Sequence, residues 1–466
     1  MPLASTYRPA ARITALGDGF YDEVCAARFP KRELRFRNQR AAKQIGLHDL
    51  DDAEWEAHFA RFEPLPDNLP KPLALRYHGH QFDVYNPFLG DGRGFLFAQM
   101  LDDSGRLLDL GTKGSGTTPW SRGGDGRLTL KGGVREVLAT EMLEALGVNT
   151  SKSLSLFETG EDLQRGDEPS PTRSSVLVRS SHSHIRFGTF QRLAYRADTR
   201  GLERLLAYSI EQYFPDLATG PDPVARFLAK VTRASAALAA SFMVAGFVHG
   251  VLNSDNMVIT GESFDYGPYR FIPKYDVQFV AAYFDHEGLY AYGRQPGAVL
   301  RNVFRLAEAL RPLAPDVSIA TIATDFEAAL ESEVERRVLW RLGLTARGDS
   351  DRPLAMAVYA FLAEGSLAYD QFFFDLRGGL DREARALAGA DKEHYAGARW
   401  DALRRIMRPY ESTPGAFSPY FDRENPCTLV IDEVELVWSA IAERNDWAPL
   451  HAKIAAIREM GAALGD

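Results

Sequence analysis

The stretch that most constrains this chain is HGVLNSDNMVITGESFDYGP, residues 249–268. It follows an apolar run and places Asn253, Asp255 and Asn256 within four positions. Met257-Val258-Ile259 then reads as strand-like, and Asp265 follows nine residues past Asn256. Carboxylates and an amide near strand ends are hard oxygen donors, and Mg²⁺ takes one or two protein carboxylates together with phosphates. The same residues also suit a polar turn, a buried strand and a second turn. On this stretch alone both readings stand.

The chain has 466 residues, 45% of them hydrophobic and 25% charged, which gives ample material for a core. That length suits two or three structural units or one large bilobal domain. A net charge of -9 argues against nucleic acid as a partner. The only cysteines, Cys25 and Cys427, form no Cys-x-x-Cys pair, so neither a thiolate zinc site nor a disulfide framework is expected. The first residues lack the apolar core of a secretory signal. The most apolar run, residues 236–248, is too short to span a bilayer. The expectation is a soluble cytoplasmic protein with no membrane partner.

In residues 1–70, Trp55, Phe59 and Phe62 fit a short helix that Pro64, Pro66 and Pro70 end. This segment reads as an arm over a domain. Residues 95–100 and 107–110 read as strands joined by a turn at 102–105. The turn Leu89-Gly90-Asp91-Gly92-Arg93-Gly94 comes before them. Its glycines let backbone amides approach an anion, and Arg93 adds a bidentate donor; a plain turn is the alternative. Lys113 follows the second strand, and Gly123-Gly124-Asp125-Gly126 is a further loop. Residues 133–147 read as a helix with a stripe of Val134, Val137, Leu138, Met142, Ala145 and Leu146, stopped by Gly147. Glu136 and Glu141 both lie within reach of Lys113 on this reading. A buried strand at 176–179 ends in Arg179, and Arg186 follows it. Two His-x-His pairs, His78/His80 and His182/His184, raise a zinc hydrolase, but no glutamate at helical spacing accompanies them. From Gly201 onward the chain reads as mostly helical.

Taken together, LGDGR, GTKGSGTTPWSR with GGDGR, GGVREVLATEMLEALGV, HIRFGTFQ, HGVLNSDNM and DYGPYRFIPKYD resemble the selenoprotein O family of kinase-fold proteins. The resemblance covers residues 75–280, and the helical remainder is similar in plan. It implies an α+β, bilobal, protein-kinase-like fold. Residues 1–70 would be the arm, 71–215 a β-rich N-lobe with the nucleotide loops, and 216–466 a helical C-lobe with the catalytic and metal-binding loop. It also implies a protein adenylyltransferase that moves AMP from ATP to Ser, Thr or Tyr hydroxyls and releases pyrophosphate. By position, Gly90, Gly92, Arg93, Lys113, Asp125, Gly126, Arg179, Arg186 and Asp265 would bind ATP. Lys113 would pair with Glu136, Asn256 and Asp265 would hold Mg²⁺ or Mn²⁺, and Asp255 would be the proton acceptor.

The residues separate this reading from an ordinary kinase on their own. A kinase places its catalytic Asp two residues after the loop histidine, where this chain has Val251. Valine accepts no proton, and Asp255 is the nearest carboxylate. A protein kinase transferring the γ-phosphate and a non-catalytic nucleotide-binding scaffold are the alternatives. Many family members end in a cysteine or selenocysteine motif, whereas this chain ends MGAALGD, so no terminal redox centre is expected. Residues 95–99 and the surroundings of His78-Gly79-His80 also depart from the family's pattern, which bears on substrate access.

Overall fold

The computed structural model describes residues 4–348 and 350–465. The first strands are β1 (Tyr21–Glu23), β2 (Glu33–Arg37) and β3 (Leu73–Leu75), followed by a separate hairpin of β4 (Gly79–Gln81) and β5 (Val84–Asn86). Then come β6 (Leu96–Leu101), β7 (Leu107–Lys113), β8 (Leu128–Thr129), β9 (Lys152–Leu163) and β10 (Thr172–Ser181). Apart from the hairpin these make one antiparallel sheet in the order β1-β3-β6-β7-β10-β9-β2, with β8 against β10.

Helices cover this sheet and form the second half of the chain. They are α1 (Gln39–Gln44), α2 (Asp52–Phe59), α3 (Leu130–Ala145), α4 (Phe187–Tyr195), α5 (Thr199–Tyr213) and α6 (Pro223–Ala245). Two short strands, β11 (Phe247–Val248) and β12 (Arg270–Phe271), pair across the loop that carries Asp255 and Asp265. Next are α7 (Gln295–Leu310) and α8 (Ile319–Leu342), and helices continue to Ala448–Leu464. The architecture is α+β: a β-rich N-lobe and a helical C-lobe on a protein-kinase-like plan.

Both faces of the sheet are covered. On one side Val134, Val137, Leu138 and Met142 of α3 pack with Leu107, Leu156 and Leu177. On the other, Phe29, Trp55, Phe59 and Phe62 pack with Leu108, Leu110, Val176 and Val178. Successive strand residues point to opposite faces, so neighbours such as Leu107 and Leu108 enter different clusters. The segment 1–70 therefore does more than lie over the lobe, since β1 and β2 also supply the two ends of its sheet.

Strand β7 runs farther than its apolar residues indicate, because Lys113 pairs in register with Leu177 of β10. Lys113 is thus the last strand residue rather than one beyond it. Helix α3 starts at Leu130, ahead of the expected residue, because Thr129 caps it and accepts from the Gly132 amide at 3.1 Å. The Met257-Val258-Ile259 run is not a strand of a sheet. It makes one isolated bridge, Val258 to Arg186, flanked by bonds from Phe187 N to Met257 O (2.8 Å) and from Ile259 N to Ile185 O (3.2 Å). The apolar run at 236–248 is divided: residues 236–245 end the longer helix α6, Gly246 caps it and Phe247–Val248 are β11. By length and composition α6 alone among the described helices could cross a membrane, and 67% of its apolar window is buried inside the fold.

Candidate active site

All of Gly90, Gly92, Arg93, Lys113, Asp125, Gly126, Arg179, Arg186, Asp255, Asn256 and Asp265 line one cleft of about 710 Å³. That is the size of a small-molecule or cofactor site. Glu136 stands just behind it and pairs with Lys113, while Glu141 is taken up by Arg458 at 2.7 Å.

The sheet fixes the cationic wall. β7 and β10 are neighbours, so Lys113 and Arg179 emerge on adjacent strands. The Arg186–Val258 bridge then draws Arg186 against the polar loop. The three cations meet at Asp265. Arg179 Nη1 donates to Oδ1 at 2.6 Å, Lys113 Nζ lies 3.3 Å from the same oxygen, and Arg186 Nη1 reaches Oδ2 at 3.2 Å. Burial alone would raise the Asp265 pKa, but Arg179, Lys113 and Arg186 outweigh it and hold the carboxyl well below its ordinary range. Asp265 also sits in the left-handed region at φ +63°, a conformation that persists only where the surroundings enforce it. Buried His249 helps to enforce it. Desolvation lowers its pKa, and its neutral ring donates from Nε2 to Phe264 O at 3.1 Å.

Asp255 lies beside this cluster and is itself buried. Desolvation pushes its pKa up to about 6, against the pull of Arg186. Its Oδ1 has no hydrogen-bond partner, and its Oδ2 accepts only from Gln81 Nε2 at 3.4 Å. Arg186 Nη1 donates to the Asp255 backbone carbonyl at 2.6 Å, which ties the loop to the cation wall. Asn256 donates its amide to Val251 O at 2.9 Å, so its side-chain oxygen is the group left for a ligand. Asn256 and Asp265 together offer hard oxygen donors, a set that suits Mg²⁺ or Mn²⁺ better than a soft metal.

The two glycine clusters converge from different parts of the N-lobe. Ser121 Oγ donates to Gly92 O at 2.5 Å, and Thr118 Oγ1 donates to Asp91 O at 2.6 Å. A Cβ on Gly90 would lie 2.4 Å from the Trp120 ring, so only glycine allows that packing. Gly126 has φ +69° and its carbonyl accepts from Gly116 N at 3.1 Å. Asp125 is held by Arg165 through bonds of 2.9 and 3.1 Å. Opposed by burial, that arginine lowers the Asp125 pKa.

The histidine pairs are not a metal centre. His78 Nδ1 contacts Tyr85 Oη at 2.7 Å, and His80 Nδ1 contacts Gln191 at 2.8 Å. His182 Nδ1 meets Leu107 O and His184 Nδ1 meets Asp109. Among the described residues neither pair joins a third ligand.

Several cleft residues had no signal in the sequence. The Arg186 guanidinium lies 4.5 Å from both the Tyr77 and the Phe264 ring centres, and its Nη2 is 3.4 Å from Asp91. Phe264 was detectable as the neighbour of Asp265. Asp91 lies within the glycine turn that the sequence marks, whereas Tyr77, Gln81 and Arg165 reach the cleft only through the fold.

The profile of the family described as "Protein adenylyltransferase SelO" matches residues 3–458. A relative named protein nucleotidyltransferase YdiU in Synechocystis sp. is 45% identical over 96% of this chain and 96% of its own length. The Gloeobacter violaceus protein of that name is 44% identical over 97% of this chain and 95% of its own, and the Vibrio cholerae one 36% identical over 80% and 75%. A profile match over residues 3–458 and relatives of this identity and coverage show that the chain belongs to the SelO family of protein adenylyltransferases.

Proposed function

We propose that this chain binds ATP with a divalent cation in the Lys113–Asp265 cleft and transfers AMP to a Ser, Thr or Tyr hydroxyl of a protein. The observation that carries this reading is the meeting of Lys113, Arg179 and Arg186 on one carboxylate, beside an Asp255 oxygen with no partner. Phosphoryl-type transfer asks for charge neutralisation and alignment more than for covalent help. Arg93, Lys113, Arg179 and Arg186 supply the charge, with Glu136 orienting the lysine. Gly90, Gly92, Asp125 and Gly126 form the loops around the nucleotide. Asn256 and Asp265 would hold Mg²⁺ or Mn²⁺, which would neutralise phosphate charge.

In the reaction the acceptor oxygen forms a bond to the α-phosphorus, the bond to the β-phosphate's bridging oxygen breaks, and pyrophosphate leaves with that electron pair. Asp255 takes the hydroxyl proton at Oδ1. Val251 contributes no such group, which disfavours a kinase mechanism run from the usual position. ATP labelled separately at the α- and γ-phosphates tests the reading. Label should pass to protein from the α-position only; transfer from the γ-position would overturn it.

A further inference from the structure

The β4–β5 hairpin stands apart from the main sheet and sits on the Asp255 loop. His80 N donates to Ser254 Oγ at 2.7 Å, and Phe82 N donates to Asn253 Oδ1 at 3.3 Å. Its two turn residues, Phe82 and Asp83, have φ of +47° and +63°. Neither is glycine, so the surroundings must hold this turn in place. They do so through the Phe82 ring, 5.0 Å from that of Tyr290, and through an ion pair from Asp83 to Arg305 of α7.

The hairpin presents Gln81 to Asp255. Asn86 Nδ2 donates to Gln81 Oε1 at 3.1 Å, which fixes the amide with its NH₂ toward Asp255 Oδ2. On the same strand, a Cβ on Gly79 would come within 3.0 Å of Asp255 Cβ and 3.1 Å of Oδ1. One oxygen of the carboxylate is therefore held, and the other is left without a partner.

We propose that Gln81 is the positioning residue of the general base: its amide holds Asp255 Oδ2 so that Oδ1 faces the acceptor hydroxyl and takes its proton. This rests on the reading of Asp255 as the base. Asn86 acts one step further back by setting the direction of the Gln81 amide. A misplaced base costs turnover rather than nucleotide affinity, up to about a hundredfold for a displacement of 1 Å.

The test measures AMP incorporation from α-labelled ATP into an acceptor on which wild-type transfer is measurable, casein or the chain itself. Gln81→Leu should lower kcat about tenfold or more and leave KM for ATP within about twofold. Gln81→Glu, of the same shape but with no donor, should lose at least as much. Asn86→Asp is nearly isosteric, yet it should reproduce much of the loss, because an aspartate accepts from the Gln81 amide and turns its oxygen toward Asp255. Thermal unfolding and ATP titration identify any variant that has lost its fold, and the two isosteric changes then carry the result. In an Asp255→Asn background Gln81→Leu should have no further effect. Wild-type kcat in both Gln81 variants, a loss confined to KM, or an additive loss in the double variant would overturn the assignment. Full activity in Asp255→Asn alone would instead overturn the reading of the base.

Discussion

Lys113 sits between two carboxylates, Glu136 behind the cleft and Asp265 inside it. Removing it strips the proposed phosphate site of a cation and leaves Glu136 buried without its partner. Lys113→Ala is expected to abolish AMP transfer and to lower stability by about 3 kcal/mol, the usual cost of breaking a buried pair. Activity within about threefold of wild type, less than 1 kcal/mol of barrier, would remove the phosphate role. A second buried carboxylate gives a pH prediction. Glu262 accepts from His182 N at 3.1 Å, and burial pushes its pKa up to about 7, from 4.5. A folded-state pKa above the unfolded value gives stability that is present below about pH 4.5 and lost as the pH rises through about 7. Glu262→Gln keeps an acceptor for that amide and removes the charge. It should stabilise the chain at pH 8 by on the order of 3 kcal/mol and have little effect near pH 4.5. Thermal unfolding at both pH values decides it; a variant no more stable than wild type at pH 8 would contradict the burial argument. At this scale the chemistry was legible. Asp255, Asn256 and Asp265 are conspicuous in sequence, whereas Gln81, Tyr77 and Arg165 resemble any other surface or loop residues.

Among the elements, the glycine turn at 89–94 takes its shape from a neighbour thirty residues away in the chain. Gly90 packs under Trp120, whose Nε1 donates to Asp22 Oδ2 at 2.9 Å, so β1, the turn and the 118–122 segment are locked together. Gly90→Ala would place a carbon 2.4 Å from the indole, which forces the turn or the tryptophan to move. The expected result is ATP binding weakened about tenfold, near 1.4 kcal/mol, with the fold retained. Calorimetry with ATP and Mg²⁺ reads it directly; unchanged affinity would show that the turn does not shape the nucleotide site. Helix α3 and strands β6, β7 and β10 were legible from periodicity, because their apolar spacing survives in every context. The 257–259 run was misleading. Its residues are apolar like a strand's, but Ile259 already enters a turn closed by Gly261 N donating to Val258 O at 3.2 Å, and among the described residues the run bridges only to the 185–187 segment.

The cleft takes its walls from both lobes: Lys113 and Arg179 come from the sheet, Arg93 from the glycine turn ahead of β6, and Asp255 and Asp265 from the loop between β11 and β12. A ligand that bridges them stabilises the whole molecule rather than one element. Saturating ATP with Mg²⁺ or Mn²⁺ should therefore raise the unfolding temperature, by an amount equivalent to about 2.7 kcal/mol at a hundred times Kd. Asp265→Ala should lose most of the metal-dependent part of that shift. No shift with either metal would remove the metal–nucleotide reading of the cleft.

The sequence by itself determined which side chains are candidates for the chemistry and where most of the long helices and strands lie, because residue type and apolar period are local properties. The chain order of glycine turn, Lys113, Arg179 and Asp265 was enough to pick out residues that the fold gathers around one cleft, with Glu136 just behind it. The spacing left Glu136 and Glu141 both open and the resemblance pointed to Glu136; the tertiary structure has Glu136 on Lys113 and supplies the physical reason, since Glu141 is drawn away by Arg458, 317 residues distant. Only the tertiary structure decided that Arg186 crosses to Asp265 and that Gln81 reaches Asp255. Those pairings depend on strand register, on one isolated bridge and on a hairpin held by Arg305, and a contact between residues far apart in the chain leaves no spacing for a sequence to display.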